Sequence, residues 1–166
     1  MMRLKELGQK GVTFVELLLV MGLLGIFLVI ITTIFTSTLD TQSSTDSYSS
    51  TLSDGRFIMS RLNYDIARAT AVTTPAALGG SGASLVITVN ATTYTYALSG
   101  NNLLLTAGAN SGNLNGDGTT VSNLTFQRIG NSGGKDTIRY SFKLTSTTLH
   151  EGTTDTQTFT STAERR

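Results

Sequence analysis

Lys10–Phe35, KGVTFVELLLVMGLLGIFLVIITTIF, sets the architecture of this chain. A lysine and a glycine precede a long apolar run, and a single carboxylate, Glu16, stands near the start of that run. Phe14–Phe35 is 22 residues long, and a bilayer core needs about 20 helical ones. From Leu17 to Ile31 there is no polar side chain. A soluble core helix would show a polar stripe at the 3.6-residue period, so the pattern predicts a membrane-spanning helix. A carboxylate in hydrocarbon costs several kcal/mol. Glu16 therefore either snorkels to the headgroup level or meets a positive partner.

Glu16 and its neighbours carry a resemblance. Gly11-Val12-Thr13-Phe14-Val15-Glu16-Leu17-Leu18 resembles the type IV pilin and type II secretion pseudopilin signature. The resemblance implies cleavage by a prepilin peptidase between Gly11 and Val12, methylation of the new N-terminus at Val12, and an assembly role for Glu16. The signature covers about the first 35 residues. Val12 stands where phenylalanine or methionine is commoner, and the span lacks the proline of many major pilins, which leans toward a minor subunit. The freed amine of Val12 and the Glu16 carboxylate of a neighbouring subunit would pair, relieving two desolvation costs together.

The chain has 166 residues, enough for an anchor and one domain. Its formal charge is +1. Arg3, Lys5 and Lys10 against Glu6 give the leader a net +2, which leaves −1 from Val12 onward. Basic residues ahead of the span predict a cytoplasmic N-terminus and an exported remainder. A conventional secretory signal would be cut after its apolar region; here the implied cut precedes it, so the anchor is kept. There is no cysteine, which an exported domain of this size can do without. Only Arg165 and Arg166 cluster among the basic residues, so a nucleic-acid partner is not expected.

The implied architecture is α+β and pilin-like: a long N-terminal α-helix, its first half transmembrane, with an antiparallel β-sheet packed on its C-terminal half. The expected parts are a leader (1–11), a membrane or filament-core helix (12–35), an extracytoplasmic half-helix (36–71) and a β-sheet domain (72–166). Eleven of the sixteen residues 36–51 are Ser or Thr, poor helix formers, which predicts a helix with a weak middle. Helical periodicity returns from Leu52 to Ala71 and places Tyr48, Leu52, Ile58, Met59, Leu62, Ile66 and Ala69 on one arc. Asp54, Arg61, Asp65 and Arg68 fall on the opposite side, with Arg61–Asp65 an i,i+4 pair. Phe57 and Tyr64, one heptad apart, widen the core face or touch a neighbouring subunit. Arg61-Leu62-x-x-Asp65-Ile66-x-x-Ala69 resembles the helix end of J- or W-type minor pseudopilins.

Thr73–Gly82 is rich in breakers and reads as a connection. Strand-like runs follow: alternation in Leu85–Val89 and around Tyr94, Tyr96 and Leu98 with a link at Ala91-Thr92, a short apolar run in Asn102–Thr106, and Val121–Ile129 with Leu124 and Phe126 on one face. In Asp136–Thr145, Ile138, Tyr140, Phe142 and Leu144 point one way and Arg139 and Lys143 the other. Asp155–Ala163, polar apart from Phe159, suits an edge strand. Ser99-Gly100-Asn101 and Gly130–Gly134 read as hairpin turns.

Asn113, Asn115 and Asp117 sit at the first, third and fifth positions of a calcium-loop pattern, but Leu124 replaces the bidentate glutamate at the twelfth. A Gly/Asn-rich loop explains the same residues. His150 is the only histidine and lies in the turn-like Leu149–Gly152, a surface setting. A triad or a His-based metal cluster would have to rest on it alone, and no phosphate-cradling glycine motif occurs, so neither an enzyme nor a cofactor is expected. Asn90-Ala91-Thr92 and Asn123-Leu124-Thr125 are sequons of a kind common by chance in a Thr-rich chain. Gly22 and Gly25 either allow close helix approach or are ordinary membrane-helix glycines.

The resemblance implies a minor pilin or pseudopilin of a pilus, secretion or competence filament. Its expected partners are other pilin or pseudopilin subunits, the prepilin peptidase, the inner-membrane assembly platform and lipid. It would wait in the cytoplasmic membrane as a single-pass protein and then enter an extracytoplasmic or cell-surface filament. The rivals are a major pilin, a membrane-tethered surface-binding module and a DNA-binding minor pilin.

Overall fold

The computed structural model describes residues 11–130, 133–150 and 153–166. They form one helix, α1 (Phe14–Arg68), followed by strands β1 (Ala71–Thr74), β2 (Ser81–Gly82), β3 (Leu85–Val89), β4 (Thr92–Ser99), β5 (Asn102–Ala107), β6 (Asn110–Asn113), β7 (Thr119–Ile129), β8 (Thr137–His150) and β9 (Thr153–Glu164). The chain divides into two compact units, Met1–Thr41 and Gln42–Arg166.

In the first unit, Thr13 caps α1. Its hydroxyl oxygen accepts from the Glu16 amide at 3.3 Å and its carbonyl from the Leu17 amide at 3.1 Å. Glu16 thus occupies the third helical position, where an acid suits the positive end of the helix dipole. The Ser/Thr-rich tract does not interrupt the helix. Hydroxyls in and just before it bond back along α1: Thr33 to the Val29 carbonyl at 2.9 Å, Thr38 to Ile34 at 2.9 Å and Thr41 to Ser37 at 2.9 Å. These bonds satisfy the hydroxyls within the helix but slightly disfavour it, so α1 runs on through residues 36–51 against local propensity.

In the second unit, α1 buries Ser47, Thr51, Gly55, Ile58, Leu62, Asp65 and Ile66. The stripe is small and polar up to Gly55 and large and apolar beyond it. This corrects the expected arc in two places. Tyr48 is exposed, and Asp65, expected on the far side, is buried. Ser47, not Tyr48, faces the strands, and its hydroxyl pairs with that of Ser146 at 2.6 Å.

Two antiparallel sheets form where one was expected: β1-β3-β4-β5-β6 and β2-β7-β8-β9. The first closes by two-residue hairpins. The β3–β4 turn is Asn90-Ala91, both with positive φ (50° and 63°), one residue earlier than the spacing suggested. The β4–β5 turn is Gly100-Asn101, as expected. Strand β2 lies within the expected connection; β1 starts at Ala71, the expected end of the helix, which instead stops at Arg68, and β6 was not anticipated. The β7 pairing slips between Ser122 and Thr125, where Asn123 turns to φ 52°, a bulge that keeps Leu124 in the core. The second sheet meets the first where the Val121 amide donates to the Asn101 carbonyl at 2.7 Å.

The expected inward sets hold: Leu85, Ile87 and Val89 of β3, and Ile138, Tyr140, Phe142 and Leu144 of β8, are all buried. As expected, β9 is an edge strand, with Phe159 stacked on Phe142 at 5.3 Å between centroids.

Candidate functional site

The N-terminal unit presents Gly11, Val12 and Glu16 together at the start of α1. All three are exposed, and no other described residue crowds Gly11. No described basic side chain forms an ion pair with Glu16. From Phe14 to Phe35 every residue is exposed, and one 18-residue window reaches a mean hydropathy of 2.9. Among the described residues, α1 is the one helix long and apolar enough to cross a membrane. Contiguous apolar surface on this scale marks contact with lipid or with other protein. Gly22 and Gly25 have nothing within 4 Å of a built Cβ.

In the second unit, Phe57 and Tyr64 are each 55% exposed, so they are not a widened core face. They project from α1 with Arg68, whose guanidinium lies 4.8 Å above the Tyr64 ring centroid.

The calcium candidates are not gathered into a site. Asn113 ends β6 and is exposed, as is Asp117. Asn115 is buried, and its amide is committed: Oδ1 accepts from the Leu103 amide at 2.9 Å and Nδ2 donates to the Thr119 carbonyl at 2.7 Å. The carboxylate that engages this loop is Asp54 of α1, which accepts from the Gly116 amide at 2.9 Å and the Thr119 hydroxyl at 2.5 Å. Among the described residues, no three His, Asp or Glu side chains come together as a metal-binding group. His150 ends β8 opposite Thr153 rather than sitting in a turn; Glu151 and Gly152 lie outside the described residues.

Sequence reasoning missed two buried polar centres. At the first, the Tyr96 hydroxyl donates to Asp65, which also takes Arg61 Nε at 2.7 Å. Burial, reinforced by this carboxylate, pushes the Tyr96 phenol well above its ordinary value. An aspartate three residues beyond Leu62 and beside Ile66 was the available signal. At the second, Asp136 takes Arg128 at 2.7 Å and Arg165 at 3.5 Å. Arg128 also donates to the Ala76 carbonyl at 2.8 Å, and Arg165 donates to the Thr70 carbonyl. The pairing ties the end of the described chain to the end of α1 and the loop after β1. Residues 69–116, which include all of the first sheet, carry no charged side chain, so the sheet domain's ionic chemistry falls to α1 and to residues from Asp117 onward.

The geometry defines an α+β protein with one long helix whose first part is an exposed apolar stretch of membrane length, and with antiparallel sheets packed on its later part. No protein-family model, no curated protein and no solved structure matches the chain.

Proposed function

We propose that the chain is a structural subunit, a minor pilin or pseudopilin, of a type IV pilus or of a type II secretion or competence filament. The observation that carries the reading is the head of α1. An exposed glycine is followed five residues later by a carboxylate with no ion-pair partner among the described residues, and then by an unbroken exposed apolar stretch of helix. Such a surface is tolerable in lipid and again in a bundle of like helices, and the carboxylate gains a partner in the second. On this reading prepilin peptidase cuts between Gly11 and Val12. The subunit stands in the cytoplasmic membrane with its sheet domain outside, and the assembly platform transfers it into the filament. Phe57 and Tyr64 then supply an aromatic contact to a neighbouring subunit.

N-terminal sequencing of the membrane-extracted protein, with and without the peptidase, tests the proposal. Val12 as the first residue only when the peptidase is present is the expected result. An intact Met1, or a cut far from Gly11, overturns it. Glu16→Ala should be processed normally but enter filaments poorly.

A further inference from the structure

The outer face of the second sheet carries two cations in a field of hydroxyls. Arg139, Ser141 and Lys143 of β8 alternate with the buried Ile138, Tyr140, Phe142 and Leu144, and so lie on the side away from the core. The ladder places Arg139 between Gln127 and Thr162, and Lys143 between Ser122 and Thr158. The row between the cations is hydroxyls only: Thr125, Ser141 and Thr160. Thr160 donates to Ser141 at 3.1 Å, and two rows on, beyond Lys143, Thr145 and Thr156 pair at 3.1 Å, which fixes the array. Around Arg139 the face dips into a shallow depression of about 300 Å³ whose polar rim includes Ser81, Thr125 and Gln127. Neither Arg139 nor Lys143 forms an ion pair with any described residue, and the acid on this face, Glu164, sits at its corner opposite Thr137.

We infer that this face binds an acidic polysaccharide, a sugar polymer bearing carboxylates. Two unpaired cations four residues apart on one strand stand about 13 Å from each other and call for a ligand with repeated negative charge. An arginine fork matches a carboxylate. The hydroxyls and the amide between and beside the cations offer donors and acceptors to a ligand that is itself hydroxylated. The face has no aromatic platform on which nucleobases could stack. Two cations are also fewer than the polybasic cluster of four to eight that an anionic membrane recruits. This inference goes beyond the filament reading and does not depend on it: the face would bind equally in a chain never cut after Gly11.

The test uses the full chain in lipid nanodiscs at low ionic strength, with polygalacturonate, dextran and poly(dT) as probes and empty nanodiscs as the blank. Polygalacturonate should bind and dextran should not. The double variant R139A/K143A should bind polygalacturonate at least about fivefold more weakly with an unchanged melting midpoint, each single variant giving part of the loss. No binding of polygalacturonate by the wild type, equal binding by the double variant, or equally tight binding of poly(dT) would overturn the assignment.

Discussion

The ring of Phe159 lies directly on the backbone of Gly55: a Cβ added at Gly55 would fall 2.1 Å from the Phe159 Cζ. The edge strand β9 can therefore close on α1 only where the helix has no side chain. On its other side the same ring stacks on Phe142, so it has little room to retreat.

Gly55→Ala is expected to lower stability by about 1–3 kcal/mol, because overpacking outweighs the roughly 1 kcal/mol of helix propensity gained. In a Phe159→Ala background the clash is gone, and the same substitution should instead stabilise. Thermal melts of the four proteins of this cycle check the change of sign. An equal effect in both backgrounds would refute the contact.

The Tyr96 phenol gives an alkaline signature. Its pKa in the folded state is raised by burial and by the bond to Asp65. The folded protein therefore holds this proton above about pH 10, where the unfolded chain releases it. The unfolded state then binds fewer protons, so stability is complete below about pH 10 and falls as pH rises above it. Burial also raises Tyr140, which adds to the same slope. Tyr96→Phe should make the decline in melting temperature between about pH 10 and 11 visibly shallower. An unaltered slope would mean that Tyr96 is not the group responsible.

At the other buried pair, removing the acid should cost more than removing the outer base. Asp136→Ala strands Arg128, whose side chain is only 18% exposed, and is expected to cost about 3 kcal/mol. Arg165→Ala leaves the inner pair intact and should cost about 1 kcal/mol, chiefly loosening the segment that follows β9. Denaturant midpoints and limited proteolysis of residues 164–166 distinguish the two.

Asn115 and Asp117 should separate cleanly. Asn115→Asp keeps the acceptor for the Leu103 amide but loses the donor to the Thr119 carbonyl, and is expected to cost about 1–3 kcal/mol. Exposed Asp117→Ala should stay within about 0.5 kcal/mol. Chemical denaturation read by tyrosine fluorescence is the measurement, and comparable losses from the two would place Asp117 in the structure of the loop.

Much of the architecture was legible because it rests on periodicity. An apolar run without a polar stripe predicts α1, and period-two alternation through Ile138 to Leu144 predicts both β8 and its buried face. The cations Arg139 and Lys143 were assigned their side by the same alternation. Burial of particular polar residues was not legible. Asp65 looks on a helical wheel like half of a surface pair with Arg61, and only the arrival of Tyr96 from β4, 31 residues on, makes it a core acceptor. Asn115 fits a metal-loop pattern until β5 brings the Leu103 amide to it.

Local propensity and spacing were enough to place most of α1, strands β3, β4, β5, β7, β8 and β9, and the inward faces of β3 and β8. They missed β1, β2 and β6, whose short, polar or breaker-rich segments carry no such period. The sequence by itself also placed Gly11, Val12 and Glu16 at the head of the apolar helix. Three outcomes came from long-range packing: the strands split into two sheets, Phe57 and Tyr64 stay outside, and Asp54, Asp65 and Asp136 each hold distant segments together. Those outcomes depend on which groups meet across tens of residues, and neither hydrophobic period nor intrinsic propensity carries information over that separation.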